Sequence, residues 1–216
     1  VVIIGGAVIG SSVAYFLAQN PDFNGSVLVV ERDPTYLTAG TSLSSSAIRT
    51  QFSNPINVKI SQFGIDFIKN FANTMQVAGE EKPELDFHEG GYLFLASTPE
   101  QVQILKENHE VQRACGADVV LWNRDELANA FPHLRVDDIG LASYGRSNEG
   151  WFNNTGLMFG FKAKARELGV EYVKDEVTGI SREGDRITGV TLKDGGEVKA
   201  GTVVNALGTR ASLTAR

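Results

Sequence analysis

The chain has 216 residues and a net charge of −6, long enough to bury a real core as one large domain or two small ones. Its basic residues are scattered, which gives no nucleic-acid patch, and no stretch approaches the ~20 apolar residues of a membrane span. A single cysteine excludes an internal disulfide and fits a reducing compartment, the cytoplasm or, in a eukaryote, the mitochondrial matrix.

Val1 to Ile4 is an apolar, β-branched run, as expected of a strand buried on both faces of a parallel sheet. Gly5 and Gly6 form a tight turn. Apolar residues at Val8, Ile9, Val13, Phe16 and Leu17 then follow helical spacing, and a second buried strand, Val27 to Val30, ends on Glu31. This strand, turn, helix, strand and acid make a βαβ unit built to hold a dinucleotide. Gly5 lets the chain turn out of the strand, and Gly10 lets the helix pack closely. The free N–H groups of the helix start, around Gly6, Ala7, Val8 and Ile9, face a pyrophosphate. Glu31, about twenty residues beyond Gly10, is placed to accept the ribose hydroxyls, which makes NADP the least suitable ligand. The fingerprint departs from its usual form at Ala7, where a second glycine would allow the closest approach of backbone to phosphate.

Pro34 stops the second strand, and a Gly, Ser and Thr loop follows that has no apolar period. Its donors suit an anionic ligand, although the same composition also describes a mobile surface loop. From Pro55, apolar spacing predicts an amphipathic helix to about Asn73. Met75 to Pro83 reads as a linker, and FHEGGYLFLAST as paired strands bent at Gly90 and Gly91. A helix runs from Pro99 to Gly116, with Cys115 near its end as a packing residue. A strand at Val119 to Trp122, a short helix stopped by Pro132 and a strand at Ile139 to Tyr144 follow. Asn154 is expected to cap a helix over Thr155 to Leu168. Hairpins turn at Gly184 and at Asp194 to Gly196, and Thr202 to Ala206 should rejoin the parallel sheet. His88, His109 and His133 lack ligand spacing, so no metal site is expected. Both ends read as cuts, and the chain as an N-terminal fragment.

The ordered stretches GGAVIGSSVAYFLA, VVERDPTY, TSLSSSAIRTQFS, GYLFLAST, YGRSNEGWF and VVNALGTRA resemble the D-amino-acid oxidase-like flavoprotein superfamily. The branch is similar to sarcosine oxidase, dimethylglycine dehydrogenase and the FAD-dependent oxidoreductase domain-containing proteins. The resemblance implies a Rossmann-like α/β FAD-binding domain over residues 1–74 and 151–216, with an inserted α+β lobe over 75–150 as part of a substrate-binding domain. It implies FAD held at Gly5, Gly6, Ala7, Val8, Ile9 and Gly10, with Glu31 on the ribose and Arg32 flanking the adenine. Thr41, Ser42 and Ser44 would belong to the pyrophosphate and ribityl loop, and Ile48 and Arg49 would lie near the flavin ring. Val177 would meet the adenine through its backbone, while Ala206 and Gly208 would close over the cofactor. Dimethylglycine dehydrogenase-like members attach flavin through a histidine where this chain has Ser44 or a neighbour. No histidine is nearby, so a histidyl bond at that position is excluded and FAD is expected to be non-covalent.

The implied activity is oxidation of the C–N bond of a small amino acid or N-methyl amine, with electrons passing to O2 or a redox protein. Arg49 is the candidate for the substrate carboxylate, with a salt bridge or a flavin contact as the alternative reading. Two other functions remain: an assembly or interaction factor that retains the flavoprotein fold, and an NAD-linked dehydrogenase, against which the polar loop argues.

Overall fold

The computed structural model describes residues 1–214; residues 215 and 216, the end of the expected FAD-binding range, lie outside it. In chain order the elements are β1 (Val2–Ile4), α1 (Val8–Ala18), β2 (Leu28–Glu31), β3 (Ala47–Ile48), α2 (Pro55–Lys69) and α3 (Phe71–Thr74). Next come β4 (Tyr92–Ala96), α4 (Pro99–Ala114), β5 (Val119–Trp122), α5 (Arg124–Ala130), β6 (Leu141–Gly145) and β7 (Gly150–Trp151). The last group is α6 (Asn154–Glu167), β8 (Glu171–Lys174), β9 (Val177–Glu183), β10 (Arg186–Leu192), β11 (Gly196–Lys199), β12 (Val203–Asn205) and α7 (Ala211–Thr214). They form two compact units. The first comprises Val1–Ser44, Phe71–Leu85 and the chain from Asn153 onward; the second comprises Ser45–Asn70 and Asp86–Phe152. This division falls elsewhere than at residues 75 and 150, because Ser45–Asn70 packs with the second unit and Phe71–Leu85 with the first.

The first unit is built on a parallel sheet in the order β12-β1-β2-β8. Val2 pairs with both Val203 and Leu28, so β1 is interior, which suits its unbroken run of apolar β-branched residues. α1 lies against α6. Its buried side is Gly10, Ser11, Ala14 and Tyr15, not the bulky apolar set at Val8, Ile9, Val13, Phe16 and Leu17. The start of the helix lies almost on the chain leaving the strand: a Cβ on Gly10 would sit 1.8 Å from the Gly5 carbonyl oxygen, while one turn further on the large Tyr15 is buried as well. Ile9 is 62% exposed. A three-stranded antiparallel sheet, β11-β10-β9, packs Val190 and Leu192 with Val2 and Val30. The stretch VEYVKDEVTGI thus divides, its first strand joining the parallel sheet beside β2 and its second the hairpin sheet.

The stretch expected as a linker has no regular element over 75–83 but is anchored by apolar burial, with Met75 and Leu85 in the core. The helix predicted from Pro55 to Asn73 breaks at Asn70, whose backbone leaves the helical region (φ −99°, ψ 3°), and α3 starts separately. The cap of α6 is Asn153, whose Oδ1 accepts the Gly156 N–H at 2.9 Å; the neighbouring Asn154, expected in that role, is the first helical residue.

In the second unit, β4-β6-β5 form an antiparallel sheet. FHEGGYLFLAST is not a hairpin. Only Tyr92–Ala96 is a strand, and it pairs with β6, while His88 bridges to Trp151. Gly91, at φ +77°, lies so close to β6 that a Cβ would come within 2.6 Å of the Gly145 carbonyl oxygen, so glycine is required where the chain enters β4. α4 begins with a reciprocal cap between Thr98 and Gln101 behind Pro99. Leu127, Ile139 and Ala142 form one core cluster with Leu93, Trp122, Phe131 and Val136 around them.

Candidate functional site

The first unit gathers Gly5, Gly6, Ala7, Val8, Ile9, Gly10, Glu31, Thr41 and Ala206 around the carboxyl ends of β1, β2 and β12. Gly5 takes φ +97°, and a Cβ there would approach the Ala206 carbonyl oxygen at 2.7 Å. Glu31 closes the other side: its Oε2 accepts the Gly6 N–H and its Oε1 the Asp33 N–H, each at 2.8 Å. Ala7 occupies the N-cap of α1 with no side-chain cap. The Val8 N–H donates to Thr41 Oγ1 at 3.3 Å. Among the described residues, the N–H groups of Ala7, Ile9 and Gly10 have no acceptor. Unpaired donors at a helix start, with the positive end of the helix dipole behind them, are the donor set a diphosphate requires. The residues present therefore fit a dinucleotide, with Glu31 retaining lone pairs for ribose hydroxyls.

The polar loop after β2 is tied down. Tyr36, 2% exposed, is its buried anchor, and its hydroxyl accepts from Lys162 Nζ at 3.1 Å. Burial pushes the Tyr36 phenol well above its ordinary range, and the Glu31 charge adds to the effect. Lys162 is held below its ordinary range, first by burial and then by Arg166. The Asn154 amide donates to the Thr41 carbonyl and, at 3.3 Å, to the Ser44 carbonyl. Ser42, beside Thr41, is half-buried. Arg32 reaches Glu176 Oε1 at 3.4 Å, next to Val177 at the start of β9. Gly208, at φ +56°, opens the turn after β12.

Ile48 and Arg49 belong to the second unit. Ile48, in β3, packs toward Gly64 of α2 and pairs with Gly150 of β7. The Arg49 guanidinium carbon lies 4.7, 5.3 and 5.5 Å from the ring centres of Phe52, Tyr92 and Phe94. Its Nε is buried with no hydrogen-bond partner, and among the described residues it makes no ion pair. The next two residues are fixed by Glu149, which is wholly buried. Its carboxylate accepts the Thr50 N–H and hydroxyl and, at 2.8 Å, the Gln51 amide. Gln51 also donates to the Tyr92 carbonyl and accepts from Ser143.

Sequence reasoning missed Tyr36, Lys162, Asn154 and Glu149 as supports of these clusters. Glu149 carried a signal in the stretch YGRSNEGWF, an acid set among glycines and aromatics. Tyr36, the aromatic residue of a polar loop, carried another.

A family model described as FAD dependent oxidoreductase matches residues 1–216. The FAD-dependent oxidoreductase domain-containing protein 1 of Xenopus laevis is 41% identical over 235 residues, which span 100% of this chain and 47% of that protein. Mitochondrial dimethylglycine dehydrogenase of Rattus norvegicus is 30% identical over 209 residues, 96% of this chain and 23% of that protein. Among solved structures, L-proline dehydrogenase from P. horikoshii is similar with a TM-score of 0.82 and 28% identity, covering 99% of this chain and 54% of that chain. The chain spans about half, or less, of the length of these relatives.

Proposed function

Since the chain belongs to the DAO family of FAD-dependent oxidoreductases, we propose that it binds FAD without a covalent link and oxidises the C–N bond of a small amino acid or N-methyl amine. The observation that carries the reading is the set of unpaired N–H donors at Ala7, Ile9 and Gly10, with Glu31 beside them. Bound flavin supplies the hydride acceptor at N5. The chain's own residues bind and orient. The α1 start holds the pyrophosphate, Glu31 takes the ribose, and Arg32 and the Val177 backbone flank the adenine. Thr41, Ser42 and Ser44 line the pyrophosphate and ribityl stretch, with Ala206 and Gly208 closing over it. Ile48 and Arg49 serve the flavin end.

Arg49 fixes the substrate carboxylate. Support for this comes from its buried, partnerless Nε and its aromatic platform, which keep a guanidinium oriented and leave its donors to an incoming anion. Two relatives, a dimethylglycine dehydrogenase and an L-proline dehydrogenase, support a secondary or tertiary amino acid as substrate. The electron acceptor is O2 or a redox protein. A mitochondrial setting in a eukaryote is supported by the mitochondrial dimethylglycine dehydrogenases.

Anaerobic titration of the FAD-loaded full chain with dimethylglycine, sarcosine, glycine and proline tests the reading. Flavin bleaching with at least one of them is expected. A fully FAD-loaded protein that none of them, nor any other small amino acid, reduces would overturn oxidation and favour a binding or assembly role.

A further inference from the structure

Asp175 stands between β8 and β9, where the chain leaves the parallel sheet for the hairpin sheet. Its N–H donates to the Glu31 carbonyl at 3.2 Å, which ties it to the end of β2. Its Oδ1 accepts the Glu176 N–H at 2.7 Å and the Asp194 N–H at 3.2 Å. A Cβ on Gly195 would come 3.0 Å from its Oδ2, so the turn between β10 and β11 is closed down onto the carboxylate. From the same turn, the Lys193 N–H donates to the Glu176 carbonyl at 2.9 Å. Partial burial opposes the charge of Asp175, but the backbone N–H groups of Glu176, Asp194, Gly195 and Lys193 together outweigh it and hold the carboxyl below its ordinary range. At neutral pH the side chain is therefore an ion that only accepts.

The bonds around Asp175 fix where the Val177 backbone points. Val177 lies opposite Leu192 in the β9–β10 ladder, and the bond from Lys193 to Glu176 flanks that pair. A pair flanked in this way is the non-hydrogen-bonded kind, whose own N–H and C=O turn away from the partner strand. β9 is the edge strand of its sheet, so Val177 offers a donor and an acceptor side by side where no further strand pairs. Glu176, between Asp175 and Val177, joins its carboxylate to Arg32. Adenine presents the complement of the Val177 pair, an amino donor beside a ring acceptor. Hypoxanthine, with a carbonyl beside a ring N–H, presents the reverse.

We infer that Asp175 is a positioning residue for base recognition: by gathering the N–H groups of Glu176 and the 193–195 turn, it holds the Val177 donor and acceptor in the direction that takes adenine and rejects hypoxanthine. The inference rests on the reading of this edge as the adenine end of an FAD site. Asp175 acts through Val177 and needs no contact with the ligand.

The test uses the full chain as wild type, Asp175→Ala and Asp175→Asn, titrated calorimetrically with FAD, ADP and inosine diphosphate. Inosine diphosphate keeps the ribose and both phosphates and changes only the base edge. Wild type should bind ADP about tenfold or more tightly than inosine diphosphate, because the latter sets like groups against like. Asp175→Ala should weaken FAD and ADP by about three- to thirtyfold and leave inosine diphosphate within about twofold, so the preference narrows. Asp175→Asn keeps an oxygen for the Glu176 and Asp194 N–H groups and should fall between the two.

Equal losses of ADP and inosine diphosphate, the result for a residue that serves only the fold, overturn the inference. So does a wild type without a preference, or a preference that Asp175→Ala leaves unchanged. If Asp175→Ala fails to fold, Asp175→Asn decides alone: its preference should drop by about twofold or more, and an unchanged ratio overturns the inference. A wild type that binds neither FAD nor ADP sinks the cofactor reading and this inference with it. One that binds FAD while its base preference ignores Asp175 sinks the inference alone.

Discussion

Glu149 accepts two hydrogen bonds from Thr50, one from its backbone N–H at 2.7 Å and one from its hydroxyl at 2.6 Å. Every group aimed at this wholly buried carboxylate is a donor, Gln51 included. Glu149→Gln keeps the shape but turns an amide NH2 toward those donors. It should destabilise the protein by about 2–4 kcal/mol, the range for losing buried bonds to a charged acceptor. Urea denaturation of wild type and variant measures it, and a loss below about 0.5 kcal/mol would show that the carboxylate is dispensable.

Arg49 follows directly from this anchor, because Thr50 and Gln51 fix the backbone that carries it. Losing a charge-assisted pair in a desolvated site costs about 2–5 kcal/mol. Arg49→Ala should therefore weaken binding of the amino acid by roughly tens to thousands of fold. Lysine should rescue in part, keeping the charge without the fork. An amine of the same shape lacking the carboxylate should be nearly indifferent, and flavin reduction followed with both ligands separates the cases. Equal losses would assign Arg49 to the flavin or to the fold.

Gly10 and Ala7 should respond in opposite directions to a one-methyl change. Gly10→Ala would push a Cβ to 1.8 Å from a backbone oxygen that cannot move aside. A cost of about 3 kcal/mol or more is expected, as for severe overpacking. Ala7→Gly, at the N-cap of α1, should be neutral or slightly stabilising. It should also tighten FAD binding, since it removes the methyl nearest the donors. Thermal melts and FAD titration of both variants check the pair, and weaker FAD binding by Ala7→Gly would contradict it.

Two isoleucines one turn and a half apart on α2 offer a stability contrast. Ile65 is 1% exposed and Ile60 is 59% exposed. Ile65→Ala should cost about 2–5 kcal/mol, whereas Ile60→Ala should stay within about 0.5 kcal/mol. Comparable losses at both positions would mean that Ile60 is covered in the protein as it exists in solution.

Acid precipitation of the FAD-loaded full chain should leave the yellow colour in the supernatant. The polar loop holds no histidine, and Cys115 lies in the second unit, after α4. Colour retained in the pellet, with a flavin-bearing peptide mapped within residues 1–216, would show a covalent bond.

The legible parts of this fold are those whose determinants lie close together in sequence. The β1-turn-α1-β2 unit, the α4 helix between Pro99 and Gly116, and the hairpins at Gly184 and Gly195 each carry their period and their turn residues locally. The return of β12 beside β1 was also legible, because an apolar strand late in an α/β chain has few other places to be buried. What escaped depends on distant partners. β4 pairs with β6 across the intervening α4, β5 and α5, so the adjacent glycines suggested a hairpin that does not form. Apolar spacing on α1 pointed to Val8, Ile9, Val13, Phe16 and Leu17, whereas the buried side is Gly10, Ser11, Ala14 and Tyr15, turned inward by the close approach at Gly10. Within the candidate site, glycines and acid were readable from spacing. Tyr36, Asn154 and Glu149 were not, since their partners lie about a hundred residues away.

The register that pairs Val2 with Val203 also sets a timetable for synthesis. A ribosome adding roughly 5–20 residues per second needs on the order of 10–40 s between exposing the first strand and completing its neighbour. Through that interval an apolar β-branched strand has one flank unpaired, as β2 alone is available to it. Slowing translation after β2, or depleting the chaperones that shield nascent strands, should therefore lower the yield of folded protein more than an equal slowdown placed after β12.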